Sequence, residues 1–203
     1  MEKYNSYTKI SNIFTLFLTL LALISLAQAT SSAVSPKASR TYKNFIKTKC
    51  KTATHSKLCI KTLNPYAPFI QTSDLKLCAT AVTVAVEGAK NVSTIVTKLA
   101  KKKGLSPRDG AALHDCISDV RDSISVLKQT ITAMQHLKGD AVDAKWADAK
   151  TWASGAISDA ESCRDGFAEK KEVSKDVRKK INSSMGKLEQ LMSNALCFIG
   201  HLY

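Results

Sequence analysis

Residues 106–134, SPRDGAALHDCISDVRDSISVLKQTITAM, carry the pattern of a long amphipathic helix. Ser106 suits a helix cap, Pro107 suits the first helical position, and Asp109 places an acid three residues after the cap. Apolar residues then recur in steps of three and four, which keeps them on one face of a helix. This apolar stripe comprises Leu113, Cys116, Val120, Ile124, Leu127, Ile131 and Met134.

Three other segments have the same period, one before this helix and two after it. The first ends at Lys101-Lys102-Lys103-Gly104, where cations and a glycine favour a helix C-terminus. Short connections and alternating steps favour adjacent antiparallel helices. We therefore predict an all-α fold with an up-and-down four-helix bundle over about residues 72–201. The stripes are Leu75, Ala79, Val82, Val86, Ala89, Val92, Val96 and Leu99 in the first, Val142, Trp146, Ala149, Ala153, Ala156, Ala160, Cys163 and Phe167 in the third, and Val173, Val177, Ile181, Met185, Leu188, Leu191 or Met192, Ala195 and Ile199 in the fourth.

A small helical hairpin is predicted before the bundle, over about residues 40–64. Its two short helices fall around Arg40–Lys49 and Thr54–Leu63, and the prolines of residues 64–68, NPYAP, interrupt the helical pattern after them. Cys50 and Cys59 flank the turn between the two helices. A disulfide there would staple a hairpin that is too small to bury a core of its own.

The other four cysteines lie on the predicted bundle. Cys116 and Cys163 fall on the stripes of the second and third helices, and a disulfide between them would close a loop of about 48 residues, which contributes about 4 kcal/mol in the chain-entropy model. Cys78 and Cys197 lie near the same end of the bundle. They form either a third disulfide or two buried thiols that pack as small apolar residues.

Residues 1–29 have the pattern of a secretory signal peptide. A charged start is followed by the apolar run Ile13–Leu26 and by the small-x-small sequence Ala27-Gln28-Ala29. About 14 apolar residues fall short of the roughly 20 that span a bilayer. We therefore expect a secreted mature domain over residues 30–203, in an extracellular environment where disulfides form.

The mature chain is strongly basic. The whole sequence has 30 Lys and Arg against 17 Asp and Glu, and without Lys3, Lys9 and Glu2 the net charge stays near +12. A secreted protein of this charge is expected to associate with acidic polysaccharide such as pectin. Aromatic residues are sparse and charges are mixed along most of the chain, so neither nucleic acid nor a membrane surface is predicted as a partner.

No catalytic, cofactor or metal site is predicted. Consecutive helical residues such as His114, Asp115 and Cys116 do not face one another, and a disulfide would consume the thiol. The histidines lack the spacing of zinc ligands, and paired acids such as Asp115 and Asp119 are interpreted as a solvated helix face. Asn91 and Asn182 each begin an acceptor motif for N-glycosylation.

The chain resembles the plant invertase and pectin methylesterase inhibitors. The resemblance rests on the cysteine pair in residues 45–63, FIKTKCKTATHSKLCIKTL, on residues 112–127, ALHDCISDVRDSISVL, on residues 149–167, AKTWASGAISDAESCRDGF, and on residues 193–196, SNAL. It implies disulfides Cys50–Cys59 and Cys116–Cys163 and leaves Cys78 and Cys197 outside the paired set.

The resemblance also implies a function. It implies a non-enzymatic inhibitor that acts in the extracellular cell wall, or apoplast. Such an inhibitor binds plant pectin methylesterase and blocks its pectin-binding cleft. Ser162, Asp165 and, as a weaker candidate, Asp122 would lie on the binding face. The first alternative function is inhibition of cell-wall or vacuolar acid invertase. The second alternative is a binding or signalling module without an enzyme target. The invertase branch has a Pro-Lys-Phe motif in the bundle, whereas the only Pro-Lys here is Pro36-Lys37, followed by Ala38. This difference favours pectin methylesterase.

Overall fold

The structure is a computed structural model that describes residues 35–135, 137, 142–168 and 174–202. The chain divides into two compact units, residues 1–36 and residues 37–203. The helix packing described for this protein lies within residues 37–203. The predicted signal peptide, residues 1–29, lies outside the described residues. Within the described ranges, no helix combines the length and the apolar character needed to cross a membrane.

Every regular element in the described residues is a helix, which confirms the all-α prediction. The four long helices form the predicted bundle, in which each helix packs against the next and the last packs against the first. The elements are α1 (Pro36–Lys49), α2 (Ser56–Leu63), a 3-10 turn (Asn64–Tyr66), α3 (Ala67–Ile70), α4 (Asp74–Ala100), α5 (Pro107–Gln135), α6 (Val142–Ala168) and α7 (Lys175–Leu202).

Serine caps begin three of the long helices. Ser73 Oγ accepts a hydrogen bond from Lys76 N at 3.3 Å, and Ser106 Oγ accepts one from Asp109 N at 3.0 Å. The Asp109 carboxylate is buried and accepts from Ser174 N, the cap residue of α7, at 3.1 Å. Asp109 therefore joins the starts of α5 and α7, which lie at the same end of an up-and-down bundle.

Most residues of the predicted apolar stripes are buried in the core or pack against it, and the clearest error is at the start of α4. Leu75 is 43% exposed, and the first buried residues of this helix are Leu77 and Cys78. Leu75 lies in the first turn of α4, which begins at Asp74, and it lines a shallow pocket with Ile131 and Met134 of α5. Val173 of the predicted fourth stripe lies outside the described residues.

The segment after the hairpin is more helical than the sequence predicts. Residues 64–66 form a 3-10 turn and residues 67–70 form a one-turn helix, with Pro65 and Pro68 in their first turns. A proline is tolerated there because the first N–H groups of a helix have no internal acceptor. Gln71 then adopts φ 55°, which turns the chain into α4.

The structure contains both predicted disulfides. The Cα atoms are 5.7 Å apart in Cys50–Cys59 and 4.4 Å apart in Cys116–Cys163. Cys78 and Cys197 are free thiols. Cys78 is buried as one alternative predicted, whereas Cys197 is half-buried and its thiol donates to the carbonyl oxygen of Thr52 at 3.3 Å. Burial raises the pKa of the Cys78 thiol to about 12, so this cysteine stays protonated and packs as an apolar residue.

Candidate functional site

Small residues let α6 pack closely against α5. Ala153, Ala156 and Ala160 are fully buried along the inner side of α6. Ser123 Oγ, buried on α5, donates a 2.9 Å hydrogen bond to the carbonyl oxygen of Ala156. Together with the disulfide Cys116–Cys163, this contact fixes how α5 and α6 lie side by side.

Ser162 and Asp165 lie one turn apart on the outer side of α6, facing away from the buried alanines. Both are exposed, and the Asp165 side chain has a relative exposure of 69%. This pair of residues is called the outer pair below. A hydroxyl and a carboxylate in this position can hydrogen-bond to a protein that approaches α6 from solvent.

The backbone that carries the outer pair is held from two directions. Cys163, between the two residues, is bonded to α5. Arg164, also between them, forms an ion pair with Glu189 of α7, and its Nε lies 3.9 Å from the Asp165 carboxylate. A surface that is already ordered loses little conformational entropy when a partner binds.

Glu189 is an unusual anchor because most of it is buried. Its side chain is only 14% exposed, and one carboxylate oxygen, Oε1, has no hydrogen-bond partner in the part of the chain that the structure describes. Burial raises the Glu189 pKa, the Arg164 guanidinium lowers it, and the carboxylates of Glu161 and Asp165 raise it further. The charge of Asp165 is therefore coupled to the contact between α6 and α7.

Asp122 does not join the outer pair. The contacts Ser123–Ala156 and Cys116–Cys163 place Asp122 level with Ile157, eight residues from Asp165, or about 12 Å along the helix axis. Asp122 is exposed on α5. The structure thus brings two of the three predicted target-binding residues together and leaves the third apart.

Asp122 belongs instead to an acidic cluster along α5 and α6, which comprises Asp115, Asp119, Asp122 and Asp159. Partial burial raises the pKa of Asp119, and the carboxylates of Asp159, Asp115 and Asp122 raise it further. Burial and the Asp122 carboxylate likewise raise the pKa of Asp159. This face of the bundle is therefore negatively charged in a protein whose overall charge is +13.

The residues singled out for other chemistry lie at the surface or in disulfides. His114 and Asp115 are both exposed, with the imidazole Nδ1 3.9 Å from the carboxylate, and Cys116 is bonded to Cys163. Among the described residues, no group of three His, Cys, Asp or Glu side chains is placed to hold a metal ion. The glycosylation acceptors Asn91 and Asn182 are exposed on α4 and α7.

Sequence reasoning missed the residue that docks the hairpin onto the bundle. Asn194 of α7 is 3% exposed, and its amide binds the backbone of His55 in the hairpin. The segment SNAL, residues 193–196, contained the signal, because a polar Asn within an apolar helical stripe needs a partner. Trp146 is held similarly, with its indole N–H donating to the carbonyl oxygen of Ile199 at 3.1 Å.

Comparisons with known proteins agree with this architecture. Pectinesterase inhibitor 11 of Arabidopsis thaliana is 34% identical over 195 residues, which cover 92% of this chain and 94% of that protein. The 21 kDa protein of Daucus carota is 30% identical over 197 residues and covers 96% of this chain and 95% of its own. The crystal structure of a mutant form of an Arabidopsis pectin methylesterase inhibitor matches this structure with a TM-score of 0.58 at 17% sequence identity. The match covers 76% of this chain and 95% of that chain, and it supports the fold.

Residues 44–198 match the family described as plant invertase/pectin methylesterase inhibitor. This range runs from the hairpin to the last turns of α7, so it contains both disulfides, the outer pair and Asn194. Family and relatives thus agree over most of the described structure. The chain belongs to the plant invertase/pectin methylesterase inhibitor family.

Proposed function

We propose that this protein inhibits a plant pectin methylesterase by binding over its pectin-binding cleft, and that it has no catalytic activity of its own. The observation that carries the proposal is full-length similarity to proteins named pectinesterase inhibitors, at 34% and 31% identity over more than nine-tenths of this chain. The family consists of enzyme inhibitors. In this reading the extracellular cell wall is the site of action, reached through the predicted signal peptide.

The outer pair is proposed as part of the binding surface. Ser162 and Asp165 project from a helix that a disulfide and an ion pair hold in place, so they can present hydrogen-bonding groups in a fixed geometry. Asp165 is the stronger candidate because its carboxylate is largely exposed and can form charge-assisted hydrogen bonds. Ser162 offers only a neutral hydroxyl, so the contact of this serine is the weaker one.

Asp122 is proposed as a separate, secondary contact. It lies about 12 Å from Asp165 along the helix axis, a distance that lies within the footprint of a protein–protein interface of ordinary size. The acidic cluster around Asp122 would favour a partner that is basic at the same place. A replacement of Asp122 should therefore change the rate of association more than the lifetime of the complex.

Acid invertase is the alternative target. The family description includes invertase inhibitors as well as pectin methylesterase inhibitors. The chain lacks a Pro-Lys-Phe motif in the bundle, and its Pro36-Lys37-Ala38 lies at the start of α1. The names of the relatives and this difference both favour pectin methylesterase.

A parallel titration tests the choice of target. Purified mature protein is titrated against a plant pectin methylesterase and against an acid invertase, and residual activity is measured as a function of inhibitor concentration. We expect stoichiometric inhibition of the methylesterase and no inhibition of the invertase. Inhibition of invertase alone would reverse the assignment, and inhibition of neither enzyme would favour a binding module without an enzyme target.

A further inference from the structure

The charge of this protein is unevenly distributed over its surface. Between residues 36 and 63 the sequence contains eight Lys and Arg, and no Asp or Glu occurs between residues 35 and 73. The disulfide-stapled hairpin of α1 and α2 is therefore purely cationic, whereas the acidic cluster lies on α5 and α6. A polyanion would be attracted to the hairpin and repelled by the α5–α6 face.

Four of these cations form a stripe along α1, called the α1 stripe below. Its members are Lys37, Arg40, Lys43 and Lys47, and all four are exposed. Their spacing of three, three and four residues places them on one face of the helix over about 15 Å. Neighbouring cations are thus about 4.5 to 6 Å apart along the axis.

The opposite side of α1 faces the bundle and leaves the stripe open to solvent. Ile46 is fully buried, and Tyr42 and Phe45 are half-buried against the core. Lys49, whose Nζ lies 2.7 Å from the Asp74 carboxylate, is also on this side, and among the described residues it is the hairpin cation that forms an ion pair.

We propose that the α1 stripe binds a linear acidic polysaccharide with a carboxylate on each sugar. Each cation in the stripe is placed to meet a carboxylate of an extended chain lying along the helix. The choice of polygalacturonate as the polymer rests on the proposed function, since it is the de-esterified form of pectin. Binding through the hairpin would hold the inhibitor on the polymer while the outer pair on α6 stays free for an enzyme.

Two other polyanions fit the stripe less well. An anionic lipid surface is bound by helices that insert apolar side chains beside their cations, whereas the aromatic residues of α1 pack against the bundle. Single-stranded nucleic acid is bound by cations together with exposed aromatic rings. The exposed side of α1 carries Thr41, Asn44 and Thr48 between its cations, and these side chains can hydrogen-bond to sugar hydroxyls.

A second group of lysines provides the matched control. Lys98, Lys101, Lys102 and Lys103 are exposed at the C-terminal end of α4, about 40 Å along that helix from Asp74. Here an acidic residue is close by, because Asp176 lines the same shallow pocket as Lys98 and Lys102. Replacing these four lysines changes the net charge as much as replacing the stripe does.

The experiment compares two fourfold variants of the full mature chain. One carries Lys37→Gln, Arg40→Gln, Lys43→Gln and Lys47→Gln, and the other carries Lys98→Gln, Lys101→Gln, Lys102→Gln and Lys103→Gln. Binding to polygalacturonate is measured at several salt concentrations, with fully methyl-esterified pectin as the uncharged polymer. We expect the stripe variant to bind polygalacturonate about tenfold more weakly or worse, with a shallower salt dependence, and the control variant to change by less than about threefold. Equal losses in the two variants, or unchanged binding in the stripe variant, would overturn the proposal.

Further arms separate the alternatives. Lys37→Arg, Lys43→Arg and Lys47→Arg together should keep the binding, and a loss there would show that charge is not what the stripe provides. An oligothymidylate or phosphatidylserine vesicles that bind as tightly as polygalacturonate would assign the stripe to that polyanion instead.

Inhibition of pectin methylesterase should be equal in the stripe variant and the unmodified protein. Failure of the unmodified protein to inhibit would contradict the proposed function, while the polymer-binding result would still decide this proposal.

Discussion

The side-chain amide of Asn194 forms two hydrogen bonds with the backbone of His55. The amide oxygen accepts from His55 N at 2.8 Å, and the amide nitrogen donates to His55 O at 3.1 Å. His55 follows the turn between α1 and α2, and Asn194 lies near the end of α7, so the contact spans 139 residues of sequence. One buried side chain thus ties the hairpin to the bundle.

Replacing Asn194 should loosen this attachment. Asn194→Ala removes both hydrogen bonds and leaves the His55 N–H without its acceptor, whereas the His55 carbonyl oxygen keeps its 2.9 Å hydrogen bond from Cys59 N. We therefore expect the free energy of unfolding to fall by about 1 to 3 kcal/mol. Urea unfolding followed by circular dichroism measures the change. Asn182→Ala is the control, since Asn182 is exposed on the same helix and should change stability by less than about 0.5 kcal/mol. Equal stability of the two variants would mean that other contacts hold the hairpin.

The disulfide between α5 and α6 should contribute more than the one in the hairpin. The double variant Cys116→Ala, Cys163→Ala opens a loop with a sequence separation of 47, and the chain-entropy model gives a loss of about 4 kcal/mol. The double variant Cys50→Ala, Cys59→Ala opens a loop with a separation of 9, for which the same model gives roughly 2.7 kcal/mol. Denaturant midpoints measure both. The control is Cys197→Ser, which removes a free thiol and should change stability by less than about 1 kcal/mol. A larger loss of stability in the hairpin double variant than in the α5–α6 double variant would contradict the chain-entropy model.

Because of the acidic cluster, the folded protein should be more stable when these carboxylates are protonated in acid than when they are ionised at neutral pH. The pKa values of Asp119 and Asp159 are raised in the folded state. At a pH between the ordinary pKa of 3.8 and the raised pKa values, the folded protein therefore binds more protons than the unfolded chain. Stability from these groups is therefore present below the ordinary pKa and is lost as pH rises through the raised pKa.

Asp119→Asn tests this expectation. The variant removes a partly buried charge that also repels the neighbouring carboxylates, so its melting temperature should exceed that of the unmodified protein at pH 7. The two melting temperatures should converge as the pH falls below the ordinary pKa of 3.8. The gain at pH 7 should be only a few tenths of a kcal/mol, because the cluster is largely solvated. Asp148→Asn, at an exposed position on α6, is the control. A gain that persists unchanged below pH 3.8 would show that the ionised carboxylate is not the cause.

Asp165 should contribute to enzyme binding and little to stability. Asp165→Ala is expected to weaken pectin methylesterase binding by about tenfold, as measured by surface plasmon resonance or by inhibition. Its melting temperature should be unchanged or slightly raised, because the variant removes a carboxylate that raises the Glu189 pKa. Asp148→Ala on the same helix should bind as the unmodified protein does. A large loss of stability in Asp165→Ala would identify Asp165 as a structural residue.

Much of the fold could be predicted because periodicity and capping act locally. The stripe from Leu113 to Met134 and the Ser106 cap both appear in α5 as predicted. Leu75 was placed wrongly because periodicity does not show how deeply a residue in the first turn of a helix is buried. The segment at residues 64–68 was predicted as a break because prolines disfavour helix interiors, although they are tolerated in the first turns that the structure forms there.

The candidate site was predicted only in part, since it depends on how two helices lie beside each other. Ser162 and Asp165 are three residues apart, so any helix places them on the same side. Asp122 comes from another helix, and its distance from them is set by the contacts Ser123–Ala156 and Cys116–Cys163. Periodicity within one helix contains no information about such a register.

The sequence by itself determined the helices, the cationic character of the hairpin and the cysteine positions, because each depends on residues close together along the chain. Tertiary structure decided that Cys78 and Cys197 stay free, that Asp109 binds Ser174 and that Asn194 binds His55. These contacts join residues far apart in the sequence, and their geometry is set by helix packing.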